Sequence, residues 1–228
     1  MKTAIVTGAT GNLGQAMIGK FLKEGYAVIG TTSKPSKTPF DGKPGFEVYS
    51  VDLSNEEQTS SFMVSLLQKY PVIDVAVLTA GGFGMGKIEE SGMDDLLHHY
   101  KLNFQTTYNP ARLIFMQMLN QRKGRIFMTG SKPGLDMKNG KGVTGYALSK
   151  SLVFRLAELM NEEAKNSSVV THVIVPSTID TPENRKAMPN GDFDKWVTPE
   201  NIAEIIFAYC GESFEMVREG VIKIYNRA

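Results

Sequence analysis

A tyrosine and a lysine four residues apart stand at the start of a helical pattern in the second half of the chain. On a helix, Tyr146 and Lys150 share one face, and their side chains lie one turn apart. Free tyrosine has a pKa of about 10, and a cation about 4 Å away favours the phenolate by a few kcal/mol at an effective dielectric constant of about 20. The spacing therefore predicts a phenol whose pKa is lowered by about two units, which suits it to proton transfer.

The same pair also has an ordinary explanation. The chain contains 8 tyrosines and 25 lysines and arginines, so one tyrosine and one lysine at helical spacing are expected without any chemistry. The elements that position the pair decide between the two interpretations.

The composition indicates one globular domain over residues 1–228. Apolar residues make up 42% of the chain, enough for a substantial core. Lys and Arg number 25 against 24 Asp and Glu, which removes the electrostatic basis for binding nucleic acid or a membrane surface. Because the sequence has no run of 18 apolar residues, we expect a soluble, cytoplasmic protein that does not contact a membrane.

The cysteine and histidine positions do not suggest metal or disulfide chemistry. Cys210 is the single cysteine and lies in a helical pattern, where a packed thiol is expected. His98 and His99 are adjacent and diverge on a helix, and His172 lies in a separate segment. We therefore predict no metal site.

A glycine-rich turn follows the first apolar run. Residues 3–7 have the length of a strand, and helical periodicity starts at Leu13. The turn between them carries Gly8, Gly11 and Gly14, a spacing that differs from the usual G-x-G-x-x-G. Glycines allow a sharp turn and close approach of a pyrophosphate, while the helix start presents free N–H groups. A plain strand-to-helix turn is the alternative.

The end of the second strand bears on the choice of cofactor. NAD-binding proteins place an acid here to hold the ribose 2′-hydroxyl, whereas this chain has Thr32, Ser33 and Lys34. Hydroxyls and a lysine suit a 2′-phosphate, so the sequence favours NADP(H) over NAD(H). Alternatively, Lys34 and Lys37 only solvate a loop rich in Pro and Gly.

Seven apolar runs have the length of strands and alternate with helical patterns. This alternation predicts a single NAD(P)-binding domain with a doubly wound (Rossmann) parallel sheet of seven strands and helices on both faces. The runs are 3–7, 26–31, 46–51, 73–79, 125–129, 169–175 and 221–225.

The segments between the strands give further expectations. Ser54 is expected to cap the helix after the third strand, and Pro110 should kink or divide a helical pattern over 93–121. Residues 132–144 read as a loop, and residues 183–196 as a surface loop or lid.

With these elements placed, the chain resembles the short-chain dehydrogenase/reductase family over nearly its whole length. The chain departs from the family pattern in four ways: the glycine spacing is that of atypical branches, Thr79 replaces an Asn, Ser177 replaces a Gly, and the interval from Ser131 to Tyr146 is about two residues longer. The matched motifs are Thr7-Gly8 with Gly14, Thr79-Ala80-Gly81, Asn103, Ser131, Tyr146 with Lys150, and Pro176-Ser177 with Thr181-Pro182.

The resemblance implies hydride transfer from a nicotinamide to a carbonyl carbon. Tyr146 would donate the proton, and Ser131 would hydrogen-bond the carbonyl oxygen. Lys150 would lower the pKa of Tyr146 and hold the nicotinamide ribose, and Asn103 would seat the water chain that resupplies the proton. The predicted cofactor-binding residues are Gly8, Thr10, Gly11, Asn12, Leu13, Gly14, Thr32, Ser33, Lys34, Asp52, Leu53, Ala80, Gly81, Tyr146, Lys150, Pro176, Ile179 and Thr181.

Within the family, segments 80–83 and 180–186 are most similar to the dihydropteridine reductase branch. That branch lacks the Ser and the Asn and uses NADH. The substrate is therefore expected to be a small carbonyl compound, with a quinonoid dihydropterin as the alternative. Its identity depends on how Phe83, Met85, Met137, Phe193 and Trp196 converge.

Two other classes share parts of the pattern. A regulatory dinucleotide-binding protein would keep the glycines without needing the Tyr, Ser and Lys set. A sugar-nucleotide epimerase would need a longer C-terminal substrate region than the 53 residues that follow Val175.

The helix that starts near Tyr146 also bears on assembly. Its apolar residues, which include Leu148, Leu152 and Leu159, exceed one stripe against the sheet. Family members pair through this helix and the Asn103 helix, so we expect a homodimer or homotetramer.

Overall fold

The computed structural model describes residues 1–227, which form a seven-stranded parallel sheet in the order β3-β2-β1-β4-β5-β6-β7. The strands are Thr3–Thr7 (β1), Ala27–Thr32 (β2), Phe46–Ser50 (β3), Val75–Leu78 (β4), Lys123–Thr129 (β5), Ser168–Pro176 (β6) and Val221–Ile224 (β7). The α-helices are Asn12–Lys23 (α1), Glu56–Lys69 (α2), Met93–His99 (α3), Thr106–Gln121 (α4), Lys132–Leu135 (α5), Thr144–Glu163 (α6), Pro182–Ala187 (α7) and Pro199–Tyr209 (α8). The predicted doubly wound fold is confirmed.

The chain reverses its direction across the sheet between β1 and β4. These strands are neighbours, and Thr7 at the end of β1 pairs with Leu78 at the end of β4. Alternate residues of β1 enter two separate cores, Ile5 on one face and Val6 on the other. Burial on both faces explains why the central strands read as continuous apolar runs. Ligands bind at such a reversal point, at the carboxyl ends of the strands.

Three expectations about the connecting segments are wrong. The cap of α2 is Asn55, whose side chain accepts a hydrogen bond from the Gln58 amide, because Ser54 is turned towards Asp52. The predicted loop 132–144 contains α5 and a 3₁₀ turn, Met137–Asn139. The predicted loop or lid 183–196 contains α7 and a second 3₁₀ turn, Phe193–Lys195.

The long helical pattern divides ahead of Pro110 rather than at it. Tyr100–Gln105 forms a π-helical segment between α3 and α4, and Pro110 lies inside α4. Proline lacks the N–H that would bond the carbonyl of Thr106, and the wider π-helical turn directly precedes that carbonyl. This segment carries Asn103.

Cys210 caps the end of α8 and packs as expected. Its thiol donates to the Ile206 carbonyl at 3.3 Å, and burial raises its pKa to about 12.

Within residues 1–227, no helix has both the length and the apolar character needed to span a membrane.

A buried histidine on β6 makes stability depend on pH. His172 is fully buried and its ring stacks on Phe127. Its Nδ1 lies 2.6 Å from the Glu219 carbonyl and donates to it, which leaves Nε2 without a partner among the described residues. Burial lowers the pKa of His172 from 6.5 to about 4. A proton added at Nε2 would have no acceptor there.

We therefore expect the free energy of unfolding to fall as the pH drops from 6.5 towards 4. In this window the unfolded chain binds a proton at His172 that the folded chain does not, at a cost of up to about 3 kcal/mol. Urea unfolding at both ends of the window should show a smaller loss in His172→Phe than in the wild type. His98→Asn, at an exposed position, is the control. An equal loss in all three proteins would contradict this role.

Candidate active site

The glycine turn after β1 is built around two close backbone approaches. Gly8 has φ +70°, and a Cβ there would lie 3.0 Å from Thr79 Oγ1. A Cβ on Gly14 would lie 2.1 Å from the Gly8 carbonyl oxygen, which excludes any side chain. Gly11 meets only ordinary contact. The turn leads into α1, whose first turn has no acidic residue and no side-chain cap.

Thr79 fits the position where the family has an asparagine. Its hydroxyl donates to the Thr7 carbonyl at 2.6 Å, and the Ala80 amide donates to Thr7 Oγ1 at 3.1 Å. These two bonds tie the carboxyl ends of β1 and β4 together. They place Ala80 and Gly81 beside the glycine turn.

The predicted NADP-binding residues lie at the end of β2. Thr32 is buried, whereas Ser33 and Lys34 are exposed. Among residues 1–227, no salt bridge involves Lys34. An exposed lysine without an acidic partner is suited to an anionic group.

Asp52 and Leu53 form the neighbouring turn after β3. Asp52 is exposed and accepts bonds from the amide and hydroxyl of Ser54 at 2.9 and 2.7 Å. The Leu53 carbonyl accepts from the buried Asn109 Nδ2 at 2.8 Å. Asn109 is not predicted from the sequence, because a polar residue inside a helical pattern does not show which turn it reaches.

Asn103 and Lys150 meet around Gly81. Asn103 is fully buried; its Oδ1 accepts from the Gly82 amide at 3.0 Å, and its Nδ2 donates to Ser149 Oγ at 3.3 Å. A Cβ on Gly81 would lie 2.7 Å from Asn103 Oδ1 and 3.4 Å from Lys150 Nζ. The structure thus brings together the π-helical segment, α6 and the loop after β4.

Lys150 is buried and points at the end of β5. Its Nζ donates to the Thr129 carbonyl at 2.8 Å. Burial lowers the pKa of Lys150 to about 8. The amine is therefore mostly protonated at neutral pH and about half deprotonated near pH 8.

Ser131 and Tyr146 lie together at the same edge of the sheet. Ser131 Oγ accepts from the Gly134 amide at 3.1 Å and caps α5, which leaves its O–H free to donate. Burial raises the pKa of the Tyr146 phenol, and the Ser131 side chain acts against this rise. The prediction that Lys150 lowers the Tyr146 pKa is wrong for the protein without cofactor, because the Lys150 amine is bonded to Thr129 instead.

Two rings flank the Tyr146 side chain. The Phe83 ring packs edge-to-face at 5.1 Å between centroids, and the His99 ring lies at 6.4 Å on a similar angle. His99 is buried, which lowers its pKa, and it occupies space where a Cβ on Gly84 or Gly145 would clash at 2.5 or 2.7 Å. His99 was missed, because these two glycines lie about 60 positions apart in the sequence and meet only in the fold.

The residues expected to line the substrate site divide into two groups. Phe83 contacts Tyr146, and a Cβ on Gly142, in the loop that precedes α6, would lie 3.9 Å from the Met85 Cε. Trp196 is buried, and its ring pairs with Phe193 at 4.7 Å in the segment that follows α7. Phe83 is 64% exposed and Met85 75% exposed, so the wall beside Tyr146 is apolar and open.

The last predicted cofactor contacts follow β6. Pro176 ends the strand, and Ile179 lies beside Val197. Thr181 caps α7 by accepting from the Asn184 amide at 3.2 Å. All predicted site residues therefore lie along the carboxyl edge of the sheet.

Within residues 1–227, no group of three or more His, Cys, Asp or Glu side chains is arranged to hold a metal ion.

The fold and this edge of the sheet define a class of nucleotide-binding oxidoreductases, and comparison with known proteins agrees. Residues 2–191 match the family model of the short chain dehydrogenases. The chain belongs to this family, which confirms the prediction.

Particular relatives are distant in sequence but similar in length. The chain is 26% identical over 243 residues to a 3-oxoacyl-(acyl-carrier-protein) reductase of Thermotoga maritima, covering 98% of this chain and 96% of that protein. It is 26% identical over 219 residues to a dihydropteridine reductase of Dictyostelium discoideum, covering 93% and 89%. The solved structure of ElxO with NADP bound superposes with a TM-score of 0.88 at 21% identity, covering 98% and 96%. The last similarity shows the fold.

Proposed function

We propose that the protein is a cytoplasmic, NADP(H)-dependent carbonyl reductase. The observation that carries this proposal is that α6 places Lys150 against Gly81 and Tyr146 beside Ser131, at the carboxyl edge of the sheet. Two relatives named as reductases over nearly the whole chain support an enzyme rather than a regulatory dinucleotide-binding protein.

The glycine turn fits a dinucleotide. Gly14 and the Gly8 carbonyl lie so close together that a Cβ on Gly14 would not fit between them. The start of α1 presents free amides, with no acidic residue in its first turn. The predicted cofactor-binding residues would hold the group along this edge. When bound, the nicotinamide supplies a hydride to the carbonyl carbon.

The chain's own residues then handle the oxygen and the proton. As the carbon gains a hydride, the C=O π pair moves to oxygen, where the Ser131 hydroxyl, whose hydrogen is not used in the cap of α5, donates a hydrogen bond. The Tyr146 phenol donates its proton to the same oxygen. The Lys150 amine, held by the Thr129 carbonyl and beside Gly81, would hold the nicotinamide ribose.

Asn103 is proposed to support the resupply of the proton. Its side chain is engaged at both ends by Gly82 and Ser149. Its backbone carbonyl accepts from the Thr107 hydroxyl at 2.8 Å. Each end of the side chain keeps one hydrogen-bonding site, a lone pair on Oδ1 and an N–H on Nδ2, and these would hold the water chain.

A panel of acceptors tests the function. Oxidation of NADPH and NADH would be measured with ketones, quinones, 3-oxoacyl thioesters and oxidised pterins. We expect turnover with at least one carbonyl acceptor and a preference for NADPH. A protein that binds the cofactor and reduces none of them would contradict the proposal.

A quinonoid dihydropterin is the second candidate substrate. The similarity to a dihydropteridine reductase over 93% of the chain favours it. The Ser131 hydroxyl beside Tyr146 favours the carbonyl.

The preference for NADP(H) predicts a specific role for Lys34. Removing its charge in Lys34→Ala should raise the Kd for NADPH about tenfold, the value of one charge-assisted bond to the 2′-phosphate, and leave the Kd for NADH unchanged. Calorimetry measures both, with Lys37→Ala as the control from the same exposed loop. A wild type that binds NADH more tightly would refute the preference.

The proposed dimer or tetramer rests on an exposed apolar face. Rings along one side of the π-helical segment and α4 pack in series, with Tyr100 to Phe104 at 5.3 Å and Phe104 to Tyr108 at 5.7 Å. On α6, Leu148 is 47% exposed and Leu159 63% exposed. Exposed apolar side chains on both helices favour an interface between copies of the chain.

We expect light scattering to give two or four times the chain mass of 25.1 kDa at micromolar concentration. Leu152→Glu, in the middle of the exposed side of α6, should dissociate the assembly. A wild type of 25.1 kDa would overturn the proposal.

A further inference from the structure

A hydrogen bond joins the glycine turn to the segment after β6. Asn12 Nδ2 donates to Glu183 Oε2 at 2.8 Å, between residues 171 positions apart. Asn12 is the first residue of α1, and Glu183 lies in the first turn of α7. A carboxylate therefore sits beside the helix start to which the proposed function assigns the pyrophosphate.

The carboxylate is charged and held in this place. Hydrogen bonds to its own backbone amide and to Asn12 lower the pKa of Glu183. The first turn of α1 has no acidic residue of its own, so its free N–H groups attract a negative group from elsewhere. Glu183 thus supplies the negative charge in the protein without cofactor.

The segment that carries Glu183 is braced internally. Arg185 binds Asp180 through two bonds of 2.5 and 2.7 Å, and its guanidinium lies 4.5 Å from the centre of the Phe193 ring. Phe193 packs on the buried Trp196. These contacts brace the segment that presents Glu183 to Asn12.

We propose that Glu183 competes with the anionic groups of the cofactor for the start of α1. Its negative charge therefore weakens dinucleotide binding at the glycine turn. This rests on the proposed function. A pyrophosphate on the first turn of α1 would bring a second anion close to the carboxylate that the Asn12 side chain binds. The repulsion between the carboxylate and the pyrophosphate falls with ionic strength, because the Debye length is about 10 Å at 0.1 M salt and about 3 Å at 1 M.

Glu183→Gln separates charge from contact. Glutamine keeps an oxygen that accepts from Asn12 and removes the charge, and the exposed position makes the substitution compatible with folding. We expect the Kd for NADPH, measured by calorimetry, to fall about three- to tenfold at about 20 mM salt, with the gain reduced below about twofold at 1 M. Glu163→Gln, an exposed carboxylate at the end of α6, is the matched control and should bind as the wild type does.

Each other outcome contradicts the inference. An unchanged or higher Kd in Glu183→Gln, an equal gain in Glu163→Gln, or a gain that persists at high salt would overturn the competition by charge. Those results leave the proposed function standing, since the wild type still binds NADPH. Absence of NADPH and NADH binding in all three proteins would overturn the proposed function as well.

Discussion

Phenylalanine in place of Tyr146 is expected to lower turnover about a thousandfold, within the range typical of a lost general acid. The phenol lies beside the Ser131 hydroxyl, and the Phe83 and His99 rings flank it. The phenylalanine ring therefore keeps this packing and loses only the hydroxyl that donates the proton. The Kd for NADPH should change less than about twofold, because no bond to the pyrophosphate is removed. Steady-state kinetics with the best acceptor and calorimetry measure the two effects.

Tyr108→Phe is the matched control, since Tyr108 is exposed on α4, outside this site. It should turn over as the wild type does. Turnover of Tyr146→Phe within about tenfold of the wild type would remove Tyr146 as the proton donor. A Kd for NADPH raised by the same factor as the loss of turnover would instead make Tyr146 a binding residue.

The second large effect is expected at Ser131. A ketone needs its oxygen polarised in the transition state, so Ser131→Ala should lower turnover of a carbonyl acceptor by about a hundredfold or more. A quinonoid dihydropterin is already strongly electrophilic, and the same change should barely affect it. The ratio of the two losses distinguishes the two proposed substrates.

The structure adds a complication that the sequence did not show. Ser131 Oγ also caps α5 by accepting from the Gly134 amide, so alanine removes a cap worth about 1 kcal/mol as well as the donor. Ser131→Thr keeps both functions, and Ser131→Gly loses the donor with a small capping cost. Turnover restored by threonine and lost in glycine would assign the effect to the hydroxyl. An unchanged rate in Ser131→Ala on the best acceptor would favour the pterin.

The strands and the glycine turn could be predicted because their causes are local. A parallel strand covered on both faces must be apolar throughout, as Val75 to Leu78 are, and this shows directly in the sequence. The close approach of Gly14 to Gly8 likewise depends on residues within one turn. The family motifs then located the other site residues at the carboxyl edge of the sheet.

The features that sequence reasoning missed depend on long-range contacts. The slot for His99 is formed by Gly84 and Gly145, and the contact of Asn12 with Glu183 joins opposite ends of the chain. The pKa of Tyr146 depends on which acceptor the Lys150 amine reaches, and a four-residue spacing on a helix does not fix that. The spacing predicted that Tyr146 and Lys150 share one face of the helix, but not that the Lys150 amine bonds to the Thr129 carbonyl.

The central claim is that this site carries hydride from a nicotinamide to a carbonyl carbon. The most direct measurement follows deuterium from NADPH labelled on either face of the nicotinamide C4 into the product of the best acceptor, by mass spectrometry and NMR. The account predicts that the label from one face, and not the other, appears on the former carbonyl carbon, one deuterium per product. A product that carries no deuterium from either face would contradict it.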